Sequence, residues 1–224
     1  MSLESDLIRW LKQNLPTTPR LRIGLGDDAA ELAGFDSSRL VVTTDSVTDQ
    51  VDFLLQEIDP RQAGHKALGV NLSDLAAMAA RPVAVVVSLV LPRKNSLQLA
   101  CSLYEGMLPL AEKFDVVIAG GDTNTWDGPL AITITALGEP TERGLLTRSG
   151  AQVGDQLLVT GHLGGSSLSR HLAVEPRVEE ALLLNERYEL HAGMDISDGL
   201  SLDASRMAAE SGVGILIDVD SLPV

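Results

Sequence analysis

Apolar residues at the start of the chain recur at helical spacing: Leu7, Ile8, Leu11 and Leu15, closed by Pro16 and Pro19, predict a first helix. Residues 21–25 read as a short strand, and residues 40–43 as a second one that delivers Asp45. Asp59-Pro60 opens a helix, with Asp as cap and Pro in the first turn, running to about Ala80. Residues 83–91 are apolar on both faces and β-branched, which predicts a central strand covered on both sides. A helix over 96–113, a strand over 115–119 and a half-buried strand over 130–137, where Ile and Thr alternate, follow. After Glu139-Pro140 the periodicity stops, and Pro140, Gly144, Gly150 and Gly154 mark a domain boundary. Beyond it the pattern predicts a strand over 156–160, helices over 176–190 and 200–210, and a strand over 215–219. These elements describe an α+β protein, with an N-terminal domain over 1–140 and a smaller α+β domain over 141–224 that reads as part of a larger unit.

Acidic residues interrupt this pattern in a recurrent way. Five short segments place carboxylates beside glycine, serine or threonine: Gly26-Asp27-Asp28, Thr43-Thr44-Asp45, Asn71-Leu72-Ser73-Asp74, Gly120-Gly121-Asp122-Thr123 and Asp195-Ile196-Ser197-Asp198-Gly199. Each has a plain reading: Gly-Asp is turn chemistry, Thr suits a strand, and Asp198 fits a helix cap. Asp74 fits least well, because it falls inside an apolar helix with Asn71 on the same face, where a buried Asp needs a partner. Carboxylates gathered without matching cations repel one another, and a fold that gathers them holds hard metal ions. Mg²⁺ held this way is the usual partner of a polyphosphate. Residues 161–167, Gly-His-Leu-Gly-Gly-Ser-Ser, resemble a phosphate loop but lack the Gly-Lys-Ser/Thr ending of a Walker A sequence. Arg148, in Thr147-Arg148-Ser149-Gly150, is a candidate phosphate clamp.

Composition narrows the partners. The 224 residues carry a formal net charge of -14, which disfavours nucleic acid and anionic membranes and requires metal ions before a nucleotide can approach. Aromatic residues make up only 3%, so the cores are aliphatic. The single cysteine, Cys101, precludes an intrachain disulfide and suits a reducing compartment. The first residues lack the basic and apolar regions of a signal peptide, and no apolar run is long enough to span a bilayer, so a soluble cytoplasmic protein is expected. The four histidines show no metal-ligand spacing.

Taken in order, the acidic segments, together with Lys66-Ala67-Leu68-Gly69-Val70-Asn71-Leu72-Ser73-Asp74-Leu75-Ala76-Ala77-Met78 and Thr147-Arg148-Ser149-Gly150, resemble the thiamine-monophosphate kinases. That family belongs to the ATP-using superfamily related to aminoimidazole ribonucleotide synthetase. The resemblance implies ATP-dependent phosphorylation of thiamine monophosphate to thiamine diphosphate. It implies an N-terminal mixed sheet with helices on one face that forms a homodimer through its sheet. Carried over by position, Asp28, Thr43, Thr44, Asp45, Asp74, Asp122, Asp195 and Asp198 would bind Mg²⁺, with Asp45, Asp74 and Asp122 as the catalytic core. Gly121, Asp122, Arg148 and Ser197 would hold ATP. Two departures stand out. Asp52 occupies the place of a family histidine that contacts substrate, and no Gly-Gly-Glu-Asp segment of the family's C-terminal part is present. Two other readings stay open: an ATP-dependent synthetase of the same superfamily, of the purine or hydrogenase-maturation type, and a non-catalytic metal- and nucleotide-binding dimer.

Overall fold

The computed structural model describes residues 3–16, 18–23, 31–32, 39–166 and 170–223. Helix α1 (Leu3–Asn14) leads into a two-stranded ribbon of β1 (Leu21–Ile23) and β2 (Glu31–Leu32). Then come β3 (Val41–Thr48), α2 (Pro60–Ala77), β4 (Ala80–Pro92), α3 (Ser96–Lys113), β5 (Val117–Trp126) and β6 (Ala131–Pro140). The second half supplies α4 (Val178–Arg187) and α5 (Leu200–Ser211), with short 3-10 turns at Arg170–Leu172 and Val219–Ser221.

Helix α2 organises the molecule. Asp59 Oδ1 accepts from the Arg61 N–H at 2.9 Å, and Gln62 Oε1 accepts from the Asp59 N–H at 3.1 Å, closing a capping box ahead of Pro60. Leu68, Leu72 and Leu75 are fully buried within the core. The contact with α3 is made backbone to backbone. A Cβ on Gly64 would overlap the Leu103 carbonyl, and one on Gly106 would overlap the Arg61 carbonyl. Glycine at both positions is therefore what lets the two helices cross so closely.

The main sheet runs in the order β3-β6-β4-β5. β4 pairs with β5 in parallel, through the crossover that α3 provides, and β6 pairs antiparallel with both β3 and β4. Helices α2 and α3 cover one face, burying Val85, Val87, Leu89 and Leu91 of the long central strand. The other face is open in the single chain: Val42 is 56% exposed and Val86 40% exposed. The expectation that residues 83–91 are covered on both sides is thus met on one face only. Alternation along β4 decides which residues remain uncovered.

Beyond β6 the chain is stitched to the end of α2. The Leu146 N–H donates to the Met78 carbonyl at 3.0 Å, and Asn185 of α4, itself buried, donates to Thr141 Oγ1 at 3.0 Å. The strands expected over 156–160 and 215–219 do not form. Among the described residues neither segment finds a ladder partner, and Leu157, Leu158 and Leu216 stay exposed. Among the described residues no helix is long and apolar enough to cross a membrane.

Candidate active site

Asp45 and Asp74 come from different elements and meet where α2 flanks the free edge of β3. Thr43 Oγ1 donates to Asp74 Oδ2 at 2.6 Å. Asn71, fully buried one turn before Asp74, accepts from the Asp45 N–H at 3.1 Å and donates to the Ala67 carbonyl at 2.9 Å. This amide satisfies an edge N–H that has no strand partner, and in doing so fixes β3 against the helix. Thr43 and Asp45, two apart on β3, point to the same side. Burial raises the Asp45 pKa, and the charges of Asp74 and then Asp52 raise it further.

A third carboxylate arrives from the second half of the chain. The Gly193 N–H donates to the Thr147 carbonyl at 3.0 Å, and a Cβ on Gly193 would press on the Ala77 carbonyl and on Leu146. That close passage carries Asp195 to the end of α2. Burial raises the Asp195 pKa, Asp74 and Asp203 add to the rise, and Arg148 opposes it. Two carboxylates whose charged forms are disfavoured by burial first, and then by the field of the same Asp74, make a locus that a divalent cation would relieve.

The loop after Asp195 is held by a residue that sequence reasoning missed. Asp203, buried in the first turn of α5, accepts at Oδ2 from the N–H groups of Ser197, Asp198 and Gly199 at 2.9, 3.0 and 3.1 Å. The helix cap is Gly199, not Asp198. Asp198 instead pairs with Arg206 at 2.6 Å, and the same Arg206 Nη1 reaches Asp203 at 2.9 Å. An acid in a first helical turn was the only sequence signal for Asp203, and it looks like ordinary dipole compensation.

Other expected site residues lie apart from this group. Asp122 is not at the carboxyl end of a strand, because β5 continues through it to Trp126. Its register runs Asp122–Ser88–Thr133–Ser46 across the sheet, which puts it on the open face and three strands away from β3, roughly 14 Å. Thr44 lies on that open face too, with its Oγ1 3.1 Å from Thr135 Oγ1. Gly121 has a local reason to be glycine: a Cβ there would overlap the Val87 carbonyl of the neighbouring strand. Asp52 closes the turn after β3, accepting from the Thr48 N–H at 2.7 Å. Asp28 lies outside the described residues. Among the described residues no three histidine, cysteine or acidic side chains come together as a ready metal cage.

Two cavities meet at Asp195. The smaller, about 480 Å³, is lined by Thr43, Asp74, Arg148, Asp195 and Glu210. The larger, about 750 Å³, lies between Ser73 of α2, residues 159–164 and the Ser197 loop. Both are within the size range of small-molecule sites. Arg148 and Ser197, expected on one nucleotide, thus line different cavities on either side of the Asp195 segment.

Known proteins give this arrangement a context. Residues 26–139 match the family described as AIR synthase related protein, N-terminal domain, and residues 137–224 match its C-terminal domain. A thiamine-monophosphate kinase of Rhodopirellula baltica is 45% identical over 99% of this chain and 72% of its own length. The crystal structure of thiamine-monophosphate kinase from Stenotrophomonas maltophilia K279a superposes with a TM-score of 0.83 at 34% identity, covering 100% of this chain and 76% of that one. AaThiL complexed with AMPPCP and TMP superposes with a TM-score of 0.72 at 29% identity, covering 93% and 69%. The open mixed sheet, its flanking helices and the sequence shared along nearly the whole chain place this protein in the thiamine-monophosphate kinase family of AIR synthase related proteins.

Proposed function

We propose that the protein transfers the γ-phosphoryl group of ATP to thiamine monophosphate, giving thiamine diphosphate and ADP. The observation that carries this reading is that Thr43, Asp74 and Asp195 line one cavity beside Arg148, with Asp45 close enough to Asp74 to feel its charge, in a chain similar to proteins that bear that kinase's name. A phosphate oxygen of the acceptor attacks the γ-phosphorus. The bond from that phosphorus to the β–γ bridging oxygen breaks, and ADP leaves with the electron pair. The acceptor is a phosphate monoester whose second pKa is about 6, so no proton has to be taken from the nucleophile. The site accordingly needs positioning and charge neutralisation rather than a general base.

The donor set suits Mg²⁺. It is all oxygen, two of its carboxylates have raised pKa values, and Mg²⁺ is commonly held by one or two carboxylates with substrate phosphates and water completing its shell. Asp45, Asp74, Asp195 and the Thr43 hydroxyl would hold it within this chain, with Asp28 and Asp198 as further ligands. Bound Mg²⁺ neutralises the repulsion between two polyanions. Arg148 would clamp the nucleotide's phosphates, and Ser197 would sit where the transferring group passes. Asp52, close enough to Asp45 for its charge to act there, would face the acceptor with its carboxylate already engaged by the Thr48 N–H.

A homodimer packed through the open sheet face would complete the site. Val42 and Val86 would be buried there, and Thr44 and Asp122, which face the same way, would be brought to the nucleotide held by the partner chain, with Gly121 next to Asp122 on β5. Residues 1–140 would supply this interface and most metal ligands, and residues 141–224 would supply Arg148 and the Asp195 loop. ATP use and an unpaired Cys101 suit the cytoplasm. The test is incubation of the full-length protein with ATP, Mg²⁺ and thiamine monophosphate, followed by chromatography. Equal amounts of thiamine diphosphate and ADP are expected, and ATP consumption without thiamine diphosphate would overturn the reading.

A further inference from the structure

We propose that the larger cavity seats the phosphate of the acceptor, and that Arg170 is the side chain that binds it. The inference rests on the kinase reading above and assigns the second of its two anions. In-line transfer needs donor and acceptor on opposite sides of the moving phosphoryl group. The molecule offers two cavities that share Asp195 and Ala77 as their common wall. Each is lined by an arginine that makes no ion pair with a carboxylate among the described residues: Arg148 in the smaller and Arg170 in the larger. Arg177, also on the larger cavity, differs, because Glu180 at 3.0 Å and Glu175 at 3.6 Å already hold its guanidinium. In a chain of net charge -14, each of these exposed arginines keeps its charge available to an anion that enters its cavity.

The loop opposite Arg170 is built for close approach. Gly164 and Gly165 both adopt positive φ, 82° and 80°, so this turn favours glycine and leaves backbone rather than side chains at the cavity wall. Arg170 is tied to that loop: its N–H donates to the Gly165 carbonyl at 3.2 Å and its Nη1 to the Gly164 carbonyl at 3.3 Å. The remaining guanidinium N–H groups are left to face a bidentate anion. A second positive charge stands behind the cavity. Lys66 Nζ donates to the Asp52 carbonyl at 2.9 Å and lies close enough to His171, on the cavity wall, for its charge to add to burial in lowering the imidazole pKa. The glycine-rich segment thus takes its cation from Arg170 rather than from the lysine of a Walker A loop.

The experiment is steady-state kinetics on the full-length protein and its Arg170→Ala, Arg170→Lys and Arg148→Ala variants. Arg170→Ala is expected to raise the KM for thiamine monophosphate roughly ten-fold or more, while the KM for ATP stays within about two-fold. Arg170→Lys should restore part of the loss. Arg148→Ala should give the opposite pattern, with the ATP KM raised. An active wild type whose thiamine monophosphate KM is unchanged by Arg170→Ala, or whose ATP KM is the one that rises, overturns this assignment and leaves the kinase reading standing. A wild type that makes no thiamine diphosphate overturns both.

Discussion

Thr43 Oγ1 donates to Asp74 Oδ2 at 2.6 Å, joining the edge strand of the sheet to the last turn of α2. The hydroxyl fixes one carboxylate oxygen and leaves the other for a ligand. Replacement of Thr43 by valine keeps the shape and removes the donor. It should lower Mg²⁺-dependent nucleotide affinity by about ten-fold, with a melting temperature close to that of the wild type. Calorimetric titration with a non-hydrolysable ATP analogue measures the first, and a thermal melt the second.

Asp203 is the residue on which the Asp195 loop depends. Its Oδ2 accepts three backbone N–H groups, and Oδ1 meets Arg206. Asp203→Ala takes the shared acceptor from three part-buried N–H groups and the partner from Arg206, and should destabilise the protein by about 2 kcal/mol. Asp203→Asn retains an acceptor and should cost less. Urea denaturation of the two variants gives the order directly.

The raised pKa of Asp195 makes a signed prediction about pH. A carboxyl group whose folded pKa lies above its unfolded value contributes stability that is full below the unfolded pKa and is lost as pH rises through the folded one. In chelator at neutral pH, Asp195→Asn should therefore melt at a higher temperature than the wild type. Below the ordinary carboxylate pKa the two melting temperatures should converge. Mg²⁺ with nucleotide at neutral pH should reverse the order, because only the wild type gains a ligand.

Val86 stands near the middle of the open sheet face, 40% exposed. Val86→Asp should leave the single chain folded, since the side chain already meets solvent there, while converting a dimer to a monomer in sedimentation. Activity should fall with the dimer, because Asp122 lies on that face. A monomeric wild type would remove the basis for Asp122 as a ligand.

Much of this arrangement was legible in the sequence. The capping signal of Asp59-Pro60 and the apolar run after Arg81 place α2 and β4 where the structure has them, and the misfit of Asp74 in an apolar helix points to the residue that Thr43 meets in the candidate site. Less was legible where pairing decides. Gly120-Gly121-Asp122 looks like the end of a strand, yet β4 is thirteen residues long and gives β5 a partner as far as Trp126. Asp122 is consequently turned to the open face by register, which a local motif does not encode. The segments 156–160 and 215–219 have the side chains of strands, but side chains alone do not supply a hydrogen-bonded neighbour. Asp203 was invisible because its role is defined by three amides folded back over it.

Cation sharing between Asp74 and the nucleotide is tested most directly by calorimetric titration of an ATP analogue into the wild type and Asp74→Asn, with and without Mg²⁺. The wild type should bind only when Mg²⁺ is present, and the variant should bind at least a hundred-fold more weakly, on the order expected for loss of a metal ligand, while unfolding at a similar temperature. Equal affinity in the two proteins, or wild-type affinity indifferent to Mg²⁺, would contradict the account.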